Sequence, residues 1–190
     1  MDTKLMISLC DIPKSHQHAH AHSMLRECLR PFGVDYTTDT PITVGRLGKP
    51  TLSEHPLLHY NLSHADGAAA CIVSGTECGI DCERVRPLRE GVMRRAFSPQ
   101  ERTLVESADN SDLMFFRLWT LKEAYVKALG IGISYPMDTV CFGFDGSRIL
   151  TDIAGFSFTQ YILRSGAYVV SICTKSCTKS CTKSDGEDLL

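Results

Sequence analysis

Nowhere in this 190-residue sequence do apolar residues run uninterrupted for the roughly 18 positions that mark a membrane-spanning helix, so no span is expected. A surplus of one charge is missing too. Twenty Lys+Arg stand against 22 Asp+Glu, and a net charge of -2 offers no clustered cation coat for a phosphate backbone. Nucleic acid is therefore not an expected partner. The opening stretch, MDTKLMISLCDIPKSH, has neither a basic leader region nor a small-residue cleavage site, and a cytoplasmic protein is expected. Aromatics are few, at 8% with a single Trp, yet 43% of residues are apolar and 22% charged, which is a globular balance. A chain of this size buries roughly 70% of its unfolded surface and needs no disulfide or structural metal to fold.

Cysteine is plentiful instead, with nine residues at positions 10, 28, 71, 78, 82, 141, 173, 177 and 181. The odd count, the missing leader and the apolar neighbours of most favour reduced, buried thiols. Cys173, Cys177 and Cys181 belong to the repeat CTKS-CTKS-CTKS, followed by SDGEDLL, which reads as a solvated low-complexity tail. All seven histidines fall between positions 16 and 64. On a helix His16/His20 and His18/His22 would be i,i+4 pairs, a spacing helical zinc ligands use, but no third ligand stands near them in sequence. A solvated helix start is the plainer reading.

Periodicity divides the rest. Met24, Leu25, Cys28 and Leu29 share a helical stripe within residues 18–33, ended by Pro31 and Gly33. Residues 34–56 read as loop with short extended pieces. LLHYNLS, AAACIVSG and ECGIDCE read as short strands, with turns at Asp66-Gly67 and Gly75-Thr76. Ser98-Pro99-Gln100-Glu101 combines an N-cap, a proline at the first helical position and a capping-box glutamate. A second helix is expected from about Ser111 to Leu129, stopping at Gly130, and three alternating runs follow: DTVCFGFDG, FSFTQYIL and YVVSIC. Helix, strands, helices, strands predict an α+β fold of two helix-plus-antiparallel-sheet halves, not a parallel βαβ sheet. The expected divisions are 1–97, 98–173 and a tail over 174–190.

Four elements carry chemistry. In Cys78-Gly79-Ile80-Asp81-Cys82-Glu83, strand alternation puts Asp81 and Glu83 on one face. Two adjacent carboxylates suit Mg2+, which takes one or two of them along with waters and phosphates; exposed acids at a strand end explain the pair equally well. In Trp119-Thr120-Leu121-Lys122-Glu123-Ala124-Tyr125-Val126-Lys127, Glu123 and Lys127 are i,i+4. They make either a surface ion pair or a ligand-or-base with a phosphate-facing cation. Ser63-His64 at a strand end offers phosphate donors or merely local backbone partners. Gly48-Lys49-Pro50 presents one cation on a rigid loop without the P-loop pattern.

Singly these are weak; in order they match a family. GKPTL (48–52), NLSHADG (61–67), GIDCE (79–83), FSPQE (97–101) and FFRLWTLKEAYVKALGIGIS (115–134) resemble the two-lobed, Sfp-type 4'-phosphopantetheinyl transferases, strongly over about residues 45–135. The resemblance implies two pseudo-equivalent halves with an active site in the cleft between them. It implies an enzyme that moves the 4'-phosphopantetheine arm of coenzyme A onto a serine of an apo acyl or peptidyl carrier protein, releasing adenosine 3',5'-bisphosphate. Asp81, Glu83 and Glu123 match the Mg2+ ligands, and Glu123 or a water beside it matches the group that deprotonates the serine. Lys127 matches a cation facing the phosphates, Ser63 and His64 match phosphate contacts, and Lys49 matches a cation near the 3'-phosphoadenosine.

Departures are also visible. His22 stands where the family usually has an arginine; Arg26 and Arg30 are candidate replacements, and Arg46, beside the GKP loop, joins the expected nucleotide-binding set. Cys82 replaces an apolar residue between the acids, and the N-terminal lobe reads as shortened. From these departures comes a second reading, a carrier-protein or coenzyme A binding module with weakened chemistry. A third, an unrelated Mg2+-dependent phosphodiesterase, leaves the GKP and Ser-His elements unexplained. By family analogy one chain holds a whole site, so a monomer is expected.

Overall fold

The computed structural model describes residues 3–10, 12–132 and 135–176. The chain begins with strand β1 (Lys4–Leu9) and helix α1 (Lys14–Leu29), followed by a short hairpin, β2 (Ile42–Val44) and β3 (Pro50–Leu52). Three strands come next: β4 (His59–Ala65), β5 (Ala68–Ser74) and β6 (Cys78–Arg84). Helices α2 (Glu90–Ala96), α3 (Pro99–Glu106) and α4 (Ser111–Leu129) follow. The hairpin β7 (Phe142–Asp145) and β8 (Arg148–Thr151) leads to β9 (Phe156–Leu163) and β10 (Tyr168–Lys175). No helix among the described residues is long and apolar enough to cross a membrane.

Two antiparallel three-stranded sheets form, in the orders β1-β5-β4 and β6-β10-β9. Strand alternation sorts their side chains into layers. Cys71 and Val73 of β5 pack on Met24, Leu25, Cys28 and Leu29 of α1. The opposite face of β5, Ala70 and Ile72, meets Ile80 and Cys82 of β6 and Val170 and Ile172 of β10, so the sheets stack face to face. Val169 on the far side of β10 packs into the cluster built on α4, with Phe115, Leu118 and Leu121. The order through the molecule is α1, first sheet, second sheet, α4: the expected α+β architecture in two helix-plus-sheet halves.

The sheets do not divide where the sequence suggested. β10 needs a partner opposite β9, and β6 supplies it, with Asp81 opposite Ser171. Residues 78–84 thus belong by hydrogen bonding to the second sheet, and the first sheet ends at Ser74 rather than near residue 97. β10 also continues past the expected boundary at 173, through Thr174 and Lys175. Cys173 is fully buried, so the first cysteine of the CTKS repeat is core and not tail. The second and third copies and the SDGEDLL segment lie outside the described residues. Cys28, Cys71, Cys78 and Cys82 are likewise buried free thiols.

Local signals explain the helices that matter. Asn110 caps α4, its side chain accepting the Leu113 N–H at 2.9 Å, and Gly130 closes the other end at φ +69, a left-handed conformation that suits glycine. Ser98 and Glu101 form a complete capping box on α3. Glu101 does more than cap. It is 1% exposed, accepts the Phe142 N–H at 2.9 Å and meets the Lys122 ammonium at 2.8 Å. Lys122, itself fully buried, also donates to the carbonyls of Met137 (2.7 Å) and Val140 (2.5 Å). Burial pulls the Lys122 pKa down, partly offset by Glu101. This satisfied buried pair ties α3, α4 and the segment before β7 into one frame.

Candidate functional site

Gly79 decides how closely β6 and α4 approach. A methyl group there would overlap the Ala124 carbonyl oxygen and the Ala128 nitrogen, both backbone atoms of α4. Only glycine allows two backbones to cross at that separation. Two residues on, along the same strand face, Asp81 is delivered to α4 beside Lys127.

Asp81 is 5% exposed. Its Oδ1 accepts from the Lys127 ammonium at 2.6 Å and from the Ser63 hydroxyl at 3.1 Å. Its Oδ2 is buried and, alone among the buried side-chain nitrogens and oxygens of the described residues, has no hydrogen-bond partner. A buried carboxylate oxygen left bare is costly unless something else meets it. Ser63 accepts in turn from the Cys82 N–H at 3.0 Å and from Lys127 at 3.3 Å. Burial alone would lower the Lys127 pKa, but Asp81 first, then Glu123 and Glu83, hold it above its ordinary value. It is a cation surrounded by acids.

Glu83, on the same face of β6 as Asp81, is bonded to the Arg86 guanidinium at 2.8 Å. Glu123, one turn before Lys127, is half-buried, and its carboxyl is pushed up to about 7. Burial is the main cause, Asp81 and Glu83 add to it, and Lys127 opposes it. The three acids thus act on one another electrostatically. Among the described residues, however, no three His, Cys, Asp or Glu side chains stand close enough to hold a metal ion together. Still, the donor set is of hard oxygens, the kind Mg2+ takes, and the bare Asp81 Oδ2 leaves a coordinating atom free.

Two hollows flank these acids. One, of about 320 Å3, is lined by Glu123, Lys127, Asn61, Lys49 and the Gly48 and Gly130 backbones. The other, of about 780 Å3, is lined by Glu83, His64, Asp66, Arg84, Arg86 and Gln17 among others. The expected site residues therefore fall into groups. Asp81, Ser63 and Lys127 are in direct contact, and Glu83 and Glu123 border them. His64 is exposed on the wall of the second hollow, and Arg46 is exposed in the β2–β3 turn. Lys49, expected to face a nucleotide, instead turns its ammonium onto two carbonyls, Ala128 at 2.7 Å and Cys78 at 3.0 Å. Burial lowers its pKa, and the negative end of α4 is where a cation is favoured. Of the N-terminal cations, Arg26 donates to the Tyr36 carbonyl at 2.8 Å and Arg30 pairs with Glu27. His22 bonds the Tyr36 hydroxyl at 2.7 Å.

Two participants escaped sequence reasoning: Gly79, whose crossing partner is far away in the chain, and Asn61, whose side-chain oxygen accepts the Ile80 N–H at 2.8 Å. Strand alternation with Ser63 was the available signal for Asn61.

The raised Glu123 carboxyl has a consequence for stability. A glutamate titrates near 4.3 when unfolded. Between that value and about 7 the folded chain holds a proton the unfolded chain has lost, so this group's contribution to stability falls as pH rises through that window. Above pH 7 the ionised carboxylate opposes folding in full. Glu123→Gln is therefore expected to melt higher than the parent at pH 8 in metal-free buffer, with the advantage shrinking toward pH 5. Paired thermal melts across that range check this; an advantage that does not grow with pH contradicts it.

Comparison with known proteins follows the same stretch of chain. A family model described as the 4'-phosphopantetheinyl transferase superfamily matches residues 77–173. The 4'-phosphopantetheinyl transferase psf-1 of Bacillus pumilus is 33% identical over 134 residues, 67% of this chain and 58% of that protein. The 4'-phosphopantetheinyl transferase Sfp of Bacillus subtilis strain 168 is 31% identical over 104 residues, 54% of this chain and 46% of that one. The 4'-phosphopantetheinyl transferase HetI of a Nostoc strain is 44% identical over 96 residues, 46% and 40% of the two chains. The chain thus spans about half the length of the curated relatives it matches. Among solved structures, the holo-[acyl-carrier-protein] synthase of Thermotoga maritima aligns over 53% of this chain and 63% of its own, at 20% identity and a TM-score of 0.43.

Proposed function

Because the chain belongs to the 4'-phosphopantetheinyl transferase superfamily and resembles its Sfp-type members, we propose that it transfers the 4'-phosphopantetheine arm of coenzyme A to a serine of an apo acyl or peptidyl carrier protein. The other product is adenosine 3',5'-bisphosphate, and the reaction depends on Mg2+. One observation supports this most: Asp81, buried, gripped on one oxygen by Ser63 and Lys127 and bare on the other, with Glu83 and Glu123 beside it.

In this reading Asp81, Glu83 and Glu123 would hold the Mg2+, which when bound supplies charge neutralisation at the coenzyme A pyrophosphate. Lys127 keeps its proton and offers its charge to the phosphates, since the acids around it hold the ammonium form. Glu123 is the candidate base for the carrier serine, because a carboxyl near pH 7 is poised to take a proton at neutral pH. Ser63, matched to a phosphate contact by resemblance, has its hydroxyl on Asp81 and also orients that carboxylate. His64, on the wall of the larger hollow, and Arg46, exposed in the β2–β3 turn, are assigned to phosphate contacts. Lys49 is assigned to the 3'-phosphoadenosine by resemblance; its place in the wall of the smaller hollow supports this, although its ammonium faces carbonyls. A monomer is proposed by resemblance to the family.

With saturating coenzyme A and Mg2+, Glu123→Gln is expected to lower kcat for transfer by about 10²-fold or more, the usual loss on removing a general base. Steady-state kinetics on a folded variant check this. A fully active Glu123→Gln contradicts the assignment.

A further inference from the structure

Among the described residues β6 is the last strand of its sheet, so one edge of its backbone pairs with no described strand. An open edge leaves polar groups to be satisfied in another way. Here side chains from the first half of the chain do it at every second residue. Lys49 donates to the Cys78 carbonyl at 3.0 Å, Asn61 accepts the Ile80 N–H at 2.8 Å, and Ser63 accepts the Cys82 N–H at 3.0 Å. Asn61 and Ser63 project from the same face of β4, and their spacing of two matches that of the amides they meet. Asp81 lies between the two bonded amides, while its partner on the other edge is Ser171 of β10.

We propose that Asn61 is a positioning residue, which with Ser63 fixes the β6 backbone on both sides of Asp81 and so sets that carboxylate against Lys127 and the neighbouring acids. Ser63 touches Asp81 directly; Asn61 acts only through the Ile80 amide. The kinetic part of this inference rests on the transferase reading given above, whereas the backbone part does not. A misplacement of about 1 Å at a reacting group can cost on the order of 10²-fold in rate.

The test compares the parent with Asn61→Leu, which keeps the volume and removes the acceptor, and Asn61→Asp, which keeps an acceptor oxygen. Amide hydrogen exchange of Ile80 is followed by NMR, together with transfer kinetics from coenzyme A to an apo-carrier protein. In Asn61→Leu the Ile80 amide is expected to exchange at least about tenfold faster, while β5 amides keep their protection. The same variant is expected to lose about 10- to 100-fold in kcat with the KM for coenzyme A little changed. Asn61→Asp is expected to restore the Ile80 protection. Unchanged Ile80 exchange in Asn61→Leu overturns the proposal, and so does faster exchange with an unaltered kcat. If Asn61→Leu does not fold, failure of Asn61→Asp to preserve parental Ile80 protection overturns it. If the parent itself transfers nothing, the transferase reading fails on its own, and the exchange comparison still decides whether Asn61 holds β6.

Discussion

Gly79→Ala is expected to melt about 6–12 °C below the parent, the shift that roughly 3 kcal/mol produces in a domain of this size, and to lose transfer activity with it. The cause is local. The added methyl overlaps the Ala124 carbonyl oxygen and the Ala128 nitrogen and stands 3.0 Å from the Lys127 carbonyl carbon. Side chains can turn aside from an overlap, but these are backbone atoms in the last two turns of α4. Overpacking a core typically costs about 1–3 kcal/mol, and a rigid obstacle puts this substitution at the upper end. The remaining way out is for α4 to move away from β6. That motion pulls Lys127 off Asp81, a contact of 2.6 Å, and carries Glu123 with it. Stability and site geometry are therefore coupled at this residue, and both thermal melting and transfer kinetics are expected to register it. A variant with the parent's Tm contradicts the close crossing.

The second large effect lies away from the site. Glu101→Ala and Lys122→Ala are each expected to cost about 3–5 kcal/mol, because removing one member strands the other's charge in a buried setting. Glu101 has more to lose than the pair, since it also accepts the Ser98 and Phe142 amides at 2.8 and 2.9 Å. Lys122 keeps the Met137 and Val140 carbonyls when Glu101 is gone, but burial already disfavours its charged form. The double variant Glu101→Ala/Lys122→Ala is expected to be less destabilised than the sum of the singles, because no charge is then left unpaired. Urea unfolding of the three variants measures this. Strict additivity contradicts the coupling. At low temperature, where the singles remain folded, their transfer rates are expected to stay far nearer the parent's than that of Gly79→Ala.

What could be read from sequence was whatever neighbours in the chain determine. The capping box at Ser98 and Glu101, the span of α4 and its glycine stop, and the shared face of Asp81 and Glu83 all rest on local chemistry or on period. β1 went unseen because Met6 interrupts the short alternation of KLMISL, although Leu5, Ile7 and Leu9 share the face that packs between the sheets and pairing with β5 orders the strand. α2 is seven residues long with no side-chain cap, and its arginines and glutamate hide its short apolar face. Cys173 was grouped with its repeat because identical tetrapeptides look alike to a composition argument; burial against Ala124 and Ala128 sets it apart. Lys49 shows the same limit at the site. A cation on a glycine-proline loop suggests an anion, and only the fold reveals that two carbonyls, one on β6 and one at the end of α4, already hold it. The pattern of acids was legible because it is written along one strand. The edge closure by Lys49, Asn61 and Ser63 was not, because each bond joins residues far apart in sequence.

The most direct measurement is the mass of an apo-carrier protein after incubation with this protein, coenzyme A and Mg2+. The account predicts a gain of one phosphopantetheine on the carrier with the parent and none with Asp81→Ala. A folded parent that leaves every carrier tried unmodified, or an Asp81→Ala variant that modifies the carrier as fast as the parent, contradicts it.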